Sequence, residues 1–199
     1  MIHPHTQLRF ISPAMGYGIF ATQDIAAGTI TYVRDPFEIT FTQAEFAAIE
    51  EPYKSVVDRY CYTDRHGTLI MGWDTSKYVN HHCHANTLLT AFGFDIAVRD
   101  IAAGEEITDD YGLFNVQETL EIACGCENCR GWLKPDDLER YHATWDAKIQ
   151  PALAQAATVE QALLPFMDAD TRARLQRFQS GLAVYPSVME LKWPGPGAH

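Results

Sequence analysis

Three of the five cysteines in this 199-residue chain stand within six positions, at Cys124, Cys126 and Cys129. A disulfide framework spreads its cysteines along a short secreted chain and pairs them evenly. Clustered thiols fit metal ligation in a reducing compartment better. Three thiolates at this spacing need one more ligand for a tetrahedral zinc, and Cys83 is the natural donor. The fifth thiol, Cys61, has no evident pairing base and reads as a small buried hydrophobe.

The length suits one well-buried domain with a small appendage. Hydrophobic residues at 47% and charged residues at 21% describe an ordinary globular protein. The longest apolar runs are too short to span a bilayer. Met1-Ile2-His3-Pro4-His5 lacks the cationic start and apolar stretch of a secretory signal. An intracellular location is expected, cytoplasmic for a bacterial source. Fifteen basic residues against 26 acidic ones give −11 at neutral pH, a field that repels phosphates and favours a cationic partner. Neither nucleic acid nor a membrane is expected as a partner.

Short strands separated by glycine turns fill the first part of the chain. Leu8–Ile11, Ile19–Ala21 and Thr29–Val33 are β-prone, as are Thr68–Met71, Leu88–Phe94 and Ile96–Val98. Thr42 and Glu45 have capping-box spacing, with Phe46, Ile49 and Tyr53 on one helical face. The pentapeptide Asp-Ile-Ala-Ala-Gly occurs at 24–28 and again at 100–104, too short for a solenoid repeat. It reads as one turn chemistry used twice. Behind Lys134-Pro135 the pattern turns helical, through Leu138, Tyr141, His142, Trp145 and Ile149. Thr158 and Gln161 are placed to cap a second helix broken near Pro165, and Asp170–Ser180 is a third, stopped by Gly181. The end of the chain, 191–199, reads as a flexible tail.

Four segments carry the chemistry. Gly16-Tyr17-Gly18 precedes a strand, where glycine lets a backbone approach a ligand. Lys77-Tyr78-Val79-Asn80-His81-His82-Cys83-His84-Ala85-Asn86 packs amides and imidazoles that each need partners. Its histidines do not match paired-histidine zinc spacings, so His82 and His84 read as surface or supporting groups. Gly104 to Gly112 sets Tyr111 among acids, and Cys124 to Gly131 is the thiol cluster.

In this order and spacing the four segments resemble a SET domain with its post-SET segment, over roughly residues 8–133. Gly16-Tyr17-Gly18 resembles the family's cofactor loop, 77–86 its RFINHSCxPN signature, 104–111 its GEELTxDY, and 124–131 a shortened CxCx4CRG. The chain departs from the pattern at Lys77, His82 and Ala85, and at Asp109, where many relatives carry Phe or Tyr beside the lysine channel.

The resemblance implies an α+β, mainly β fold: small curved β-clip-like sheets with a threaded C-terminal segment. It divides the chain into a SET domain at 8–118, a zinc segment at 119–133 and a helical extension at 134–190. The implied activity is transfer of a methyl group from S-adenosyl-L-methionine to a lysine ε-amine in a protein substrate of histone or ribosomal type. Gly16, Tyr17, Gly18 and Asn80 would hold the cofactor, with backbone contacts from His81 and with Trp132 or Leu133 on the adenine side. Tyr111, which also borders the cofactor, and Tyr60 would border the lysine channel as catalytic residues. A structural zinc on Cys83, Cys124, Cys126 and Cys129 would pin the post-SET wall. The C-terminal helices are candidates for an oligomer surface. A catalytically silent SET module that binds a partner, and a zinc adaptor unrelated to methyl transfer, are the other classes of function open to the sequence.

Overall fold

A computed structural model describes residues 1–195, in which glycine turns keep most strands to a few residues. In chain order these are β1 (Thr6–Ser12), β2 (Gly16–Ala21), β3 (Ile30–Val33) and β4 (Ile39–Phe41), then α1 (Gln43–Ala48) and α2 (Tyr53–Tyr60). The middle holds β5 (Tyr62–Thr63), β6 (Leu69–Met71), β7 (Asn80–His81), β8 (Thr87–Leu89), β9 (Phe94–Ala97) and β10 (Glu106–Asp109). The hairpin of β11 (Leu120–Glu121) and β12 (Trp132–Leu133) precedes α3 (Asp137–Gln155) and α4 (Ala169–Gln179). The fold is a mixed one of small sheets with a helical extension, as expected.

One sheet, in the order β1-β2-β10-β7, positions the site. Its β10–β7 pairing is parallel and sets Thr108 against Asn80 and Asp109 against His81. A second sheet, β3-β9-β8, carries the core, and β4-β6-β5 forms a third. The run Leu88–Phe94 is a hairpin rather than one strand. Gly93 at φ 94 lets the chain reverse, and the Thr90 N–H donates to the Phe94 carbonyl at 2.9 Å.

The two copies of the pentapeptide pair with each other. Ile25 and Ile101 exchange backbone hydrogen bonds of 2.8 Å in both directions. The Asp24 carboxylate accepts from the Ala103 N–H and the Asp100 carboxylate from the Ala27 N–H, each at 2.8 Å. Gly28 and Gly104 close the two turns at φ 88 and 86, where any other residue would be strained. The result is a local two-fold joint between the start of the chain and β10.

Thr42 caps α1 with both halves of the capping box present. The helix stops at Ala48 short of Tyr53, because Pro52 cannot donate and disfavours helical backbone at Glu51. Leu138, Trp145, Ile149 and Leu153 of α3 are buried with Ile30, Val33, Leu88, Phe94 and Ile96 in one cluster. Each such side chain contributes about 1.5–3 kcal/mol on burial. The helical extension therefore shares the core of the β3-β9-β8 sheet.

No helix forms at Thr158–Gln161. The Gln161 amide instead donates to the Gly28 carbonyl and accepts from the Ile30 N–H, both at 2.8 Å, a tertiary contact that overrides the local capping signal. Asp168 caps α4 and Gly181 ends it at φ 69. The expected loose tail is attached as far as Trp193, whose N–H donates to Asn115 Oδ1 at 2.8 Å and whose indole lies against Gly67. Residues 196–199 of that tail lie outside the described residues.

Candidate active site

The parallel β7–β10 pair brings Asn80 to the Gly16–Gly18 segment. Its Nδ2 donates to the Tyr17 carbonyl at 3.0 Å and to Glu106 Oε1 at 2.8 Å. A Cβ on Gly18 would stand 2.5 Å from Glu106 Oε1 and 2.9 Å from Asn80 Nδ2. The missing side chain is what lets Asn80 lie against this strand. We expect Gly18→Ala to displace the amide and cost about 1–3 kcal/mol of stability by overpacking. Denaturant unfolding at constant m-value measures it. The Tyr17 ring is half exposed and meets Tyr78 edge-on with ring centroids 5.9 Å apart.

Tyr111 opens the short helical turn that follows β10. Its hydroxyl donates to the Val79 carbonyl at 2.7 Å, and its ring tilts against His81 at 5.5 Å. Burial, with the nearby Asp109 and Glu106 charges, pushes its ionisation far up, so it remains a neutral O–H donor. His81 accepts from the Tyr111 N–H at Nδ1, 3.2 Å, and sets Nε2 3.5 Å from Cys83 Sγ. Burial pulls His81 down to about 4, outweighing the nearby Asp110, so it is neutral at pH 7. Tyr60, Tyr62, Val79, Tyr111, Phe114 and Leu133 line one cavity of about 850 Å³. Tyr60 reaches it from the last turn of α2, its ring edge-on to Tyr78 at 5.5 Å. The structure thus brings Tyr60 and Tyr111 together.

Cys83, Cys124, Cys126 and Cys129 converge, with all four sulfurs within 4.8 Å of one another. Cys124 Sγ lies 3.6, 3.3 and 3.5 Å from those of Cys83, Cys126 and Cys129, and Cys83 lies 4.0 Å from Cys129. Thiolates bound tetrahedrally to one zinc stand about 3.8 Å apart, so the donor set fits zinc in number, type and spacing. Burial works against ionisation of Cys124, yet hydrogen bonds from its neighbours pull it down to about 6. His82 and His84 stay outside this group and contact each other. Burial pushes the Cys61 thiol up to about 12, the behaviour of an inert side chain. On β12, Leu133 is buried against the tyrosine-lined cavity while Trp132 is 47% exposed.

Asp110 is the residue whose role the sequence did not reveal. It is 2% exposed. Its Oδ1 accepts from Arg130 Nη2 at 2.5 Å and from the Gly112 N–H at 3.1 Å, and its Oδ2 accepts from Trp145 Nε1 at 3.1 Å. The Arg130 guanidinium also lies 4.8 Å over the Tyr141 ring. One carboxylate therefore joins the Tyr111 turn, the segment beyond the thiols and α3. Its position beside Tyr111 was visible in the sequence; its partners, 20 and 35 residues away, carried no local signal.

Residues 16–112 match the family model described as the SET domain, and the chain carries a SET domain over that span. The thiols at 124–129 lie just beyond it and are consistent with a post-SET segment. Among curated proteins the chain is similar to histone-lysine N-methyltransferase trr of Drosophila melanogaster, 26% identical over 61% of this chain and 6% of the relative. It is also 26% identical to histone-lysine N-methyltransferase ASHR3 of Arabidopsis thaliana, over 67% of this chain and 29% of the relative. To histone-lysine N-methyltransferase 2D of Homo sapiens it is 29% identical over 61% of this chain and 2% of the relative. The chain spans less than a third of each. At family level these likenesses support a methyltransferase. Among the described residues no helix is long and apolar enough to cross a membrane.

Proposed function

We propose that the chain transfers a methyl group from S-adenosyl-L-methionine to the ε-amine of a lysine in a protein substrate. The observation that carries this reading is that the β7–β10 pair sets Asn80 against Gly18 while its neighbour Val79, bonded to the Tyr111 hydroxyl, lines a cavity with Tyr111 and Tyr60. S-adenosylmethionine, when bound, supplies an electrophilic methyl group on a sulfonium. Gly16 to Gly18, Asn80 and the His81 backbone would hold it, and the Asn80 amide is already seated on the Tyr17 carbonyl of that segment. Leu133 lies on the cavity side of β12, so of the two adenine candidates Trp132 is the freer to pack there.

Only the neutral amine is a nucleophile, and deprotonating lysine at pH 7 costs about 4–5 kcal/mol in water. A tyrosine-walled channel that strips water from the ammonium lowers that cost. The Tyr111 hydroxyl, held by the Val79 carbonyl, would orient the amine and the transferring methyl group. The −11 charge suits a lysine-rich segment, and the names of the relatives suggest one of histone type. An intracellular site of action fits four reduced thiols.

The test is transfer of labelled methyl from S-adenosyl-L-methionine to a mixture of lysine-containing peptides, followed by mass spectrometry of the acceptors. Tyr111→Phe is expected to lower turnover about 10²–10³-fold, the usual effect of losing one preorganised donor. S-adenosylhomocysteine should bind the variant as it binds the wild type. A wild-type protein that binds this product but methylates no lysine is a silent module. One that does not bind it at all is a zinc adaptor.

A further inference from the structure

Two carboxyls in the tyrosine-lined cavity have no part in the chemistry described so far. Asp95 on β9 and Asp109 at the end of β10 both line it, and each bears on the other's ionisation. Asp109 is 1% exposed, and its Oδ1 accepts from the Asp110 N–H at 2.7 Å. Asp109 Oδ2 and Asp95 Oδ1 are sealed from solvent, with no N–H or O–H of another residue donating to them. Two carboxyls so placed cannot both be ionised, and they hold a proton between them.

The charged surroundings are asymmetric. Asp110 faces Asp109, while Glu38 and the Met1 amino group act on Asp95 with opposite signs. Tyr32 and Tyr62 pack beside Asp95, and Arg34 acts on Tyr62. Tyr111 feels the charge of Asp109 directly. Burial dominates, pushing Asp95 up to about 7 and Asp109 well above the carboxylate range. A proton acceptor is most effective when it titrates near the working pH.

We propose that the Asp95–Asp109 pair takes the proton from the incoming lysine ammonium, which makes both residues catalytic. This deepens the lysine-methyltransferase reading and rests on it. An N–H bond of the ammonium breaks, its proton joins the Asp95 carboxylate, and the electron pair stays on nitrogen. The neutral amine then bonds the methyl carbon while the carbon–sulfur bond breaks and its electrons leave on sulfur. The extra carboxyl proton returns to solvent before the next turnover. A cation and an anion become two neutral groups, an exchange that walls of Tyr62, Phe114 and Leu133 favour over water.

The experiment is the pH dependence of kcat/KM for the full chain, from pH 6 to 10, with labelled S-adenosyl-L-methionine and the lysine-peptide mixture. Wild type is expected to rise through an inflection near neutrality and then level. Asp95→Asn should lose about 10²-fold or more at pH 7. Its profile should instead climb toward the amine's own value, about 10, with S-adenosylhomocysteine affinity unchanged. Asp109→Asn, which breaks the sharing, should move the inflection. Retention of both turnover and the neutral inflection in Asp95→Asn overturns the proposal. So does a wild-type profile that rises without a break to pH 10, a result that needs no variant to fold. Wild-type turnover with unaffected variants leaves the methyltransferase reading standing, whereas absence of any lysine methylation overturns both.

Discussion

Chelation of the zinc proposed for Cys83, Cys124, Cys126 and Cys129 is expected to abolish methyl transfer while residues 8–110 stay folded. Structural zinc binds with roughly 10 kcal/mol or more at pH 7, far beyond what residues 119–133 gather otherwise. Their only strands are the two-residue pair β11 and β12, and Leu120 and Trp132 on that hairpin are about half exposed. The β3-β9-β8 core and α3 do not depend on the thiols. Limited proteolysis should therefore cut first within 119–133 of the chelated protein, and far-ultraviolet dichroism should change little. Metal analysis of the untreated protein should find one zinc per chain. Full turnover after chelation would sink the arrangement.

Asp110→Ala is the substitution expected to cost most in stability, about 3–5 kcal/mol, because it strands one member of a buried charge pair. The Arg130 guanidinium, with its side chain 15% exposed, would lose its carboxylate, and the Trp145 and Gly112 N–H groups would lose their acceptor. Urea unfolding measures the loss. Asp110→Asn should cost less, since an amide oxygen still accepts. The effect should also reach activity, because the turn held by Asp110 carries Tyr111. A change under 1 kcal/mol would mean that Arg130 finds another partner.

Features written in neighbouring residues were legible in the sequence. The thiols of Cys124 to Cys129, the pairing of Asn80 with His81, and Tyr111 among its acids can each be read within a dozen positions. The Thr42–Glu45 cap is equally local, and it formed. Gln161 shows the limit: the same capping residue type was drawn away by the Gly28 and Ile30 backbone, 133 and 131 positions distant. Asp95 stands between two β-prone runs and carries no signal of its own in the sequence. Its meaning comes from Asp109, which only the sheet arrangement brings beside it. The hairpin at Thr90–Gly93 was concealed in an apolar run that pattern alone cannot divide.

The joint between the two pentapeptides has a consequence for how the chain reaches this shape. The two turns complete each other's bonding: the Ala27 N–H donates to Asp100, the Ala103 N–H to Asp24, and the two isoleucines pair. A growing chain that has emerged only as far as β9 therefore holds half a clasp. The strand bearing Gly18 and the strand leading to Tyr111 lock together only when the second copy arrives. The Gly16–Gly18 segment and the Tyr111 turn thus owe their fixed separation to bonds that exist only when both copies are present.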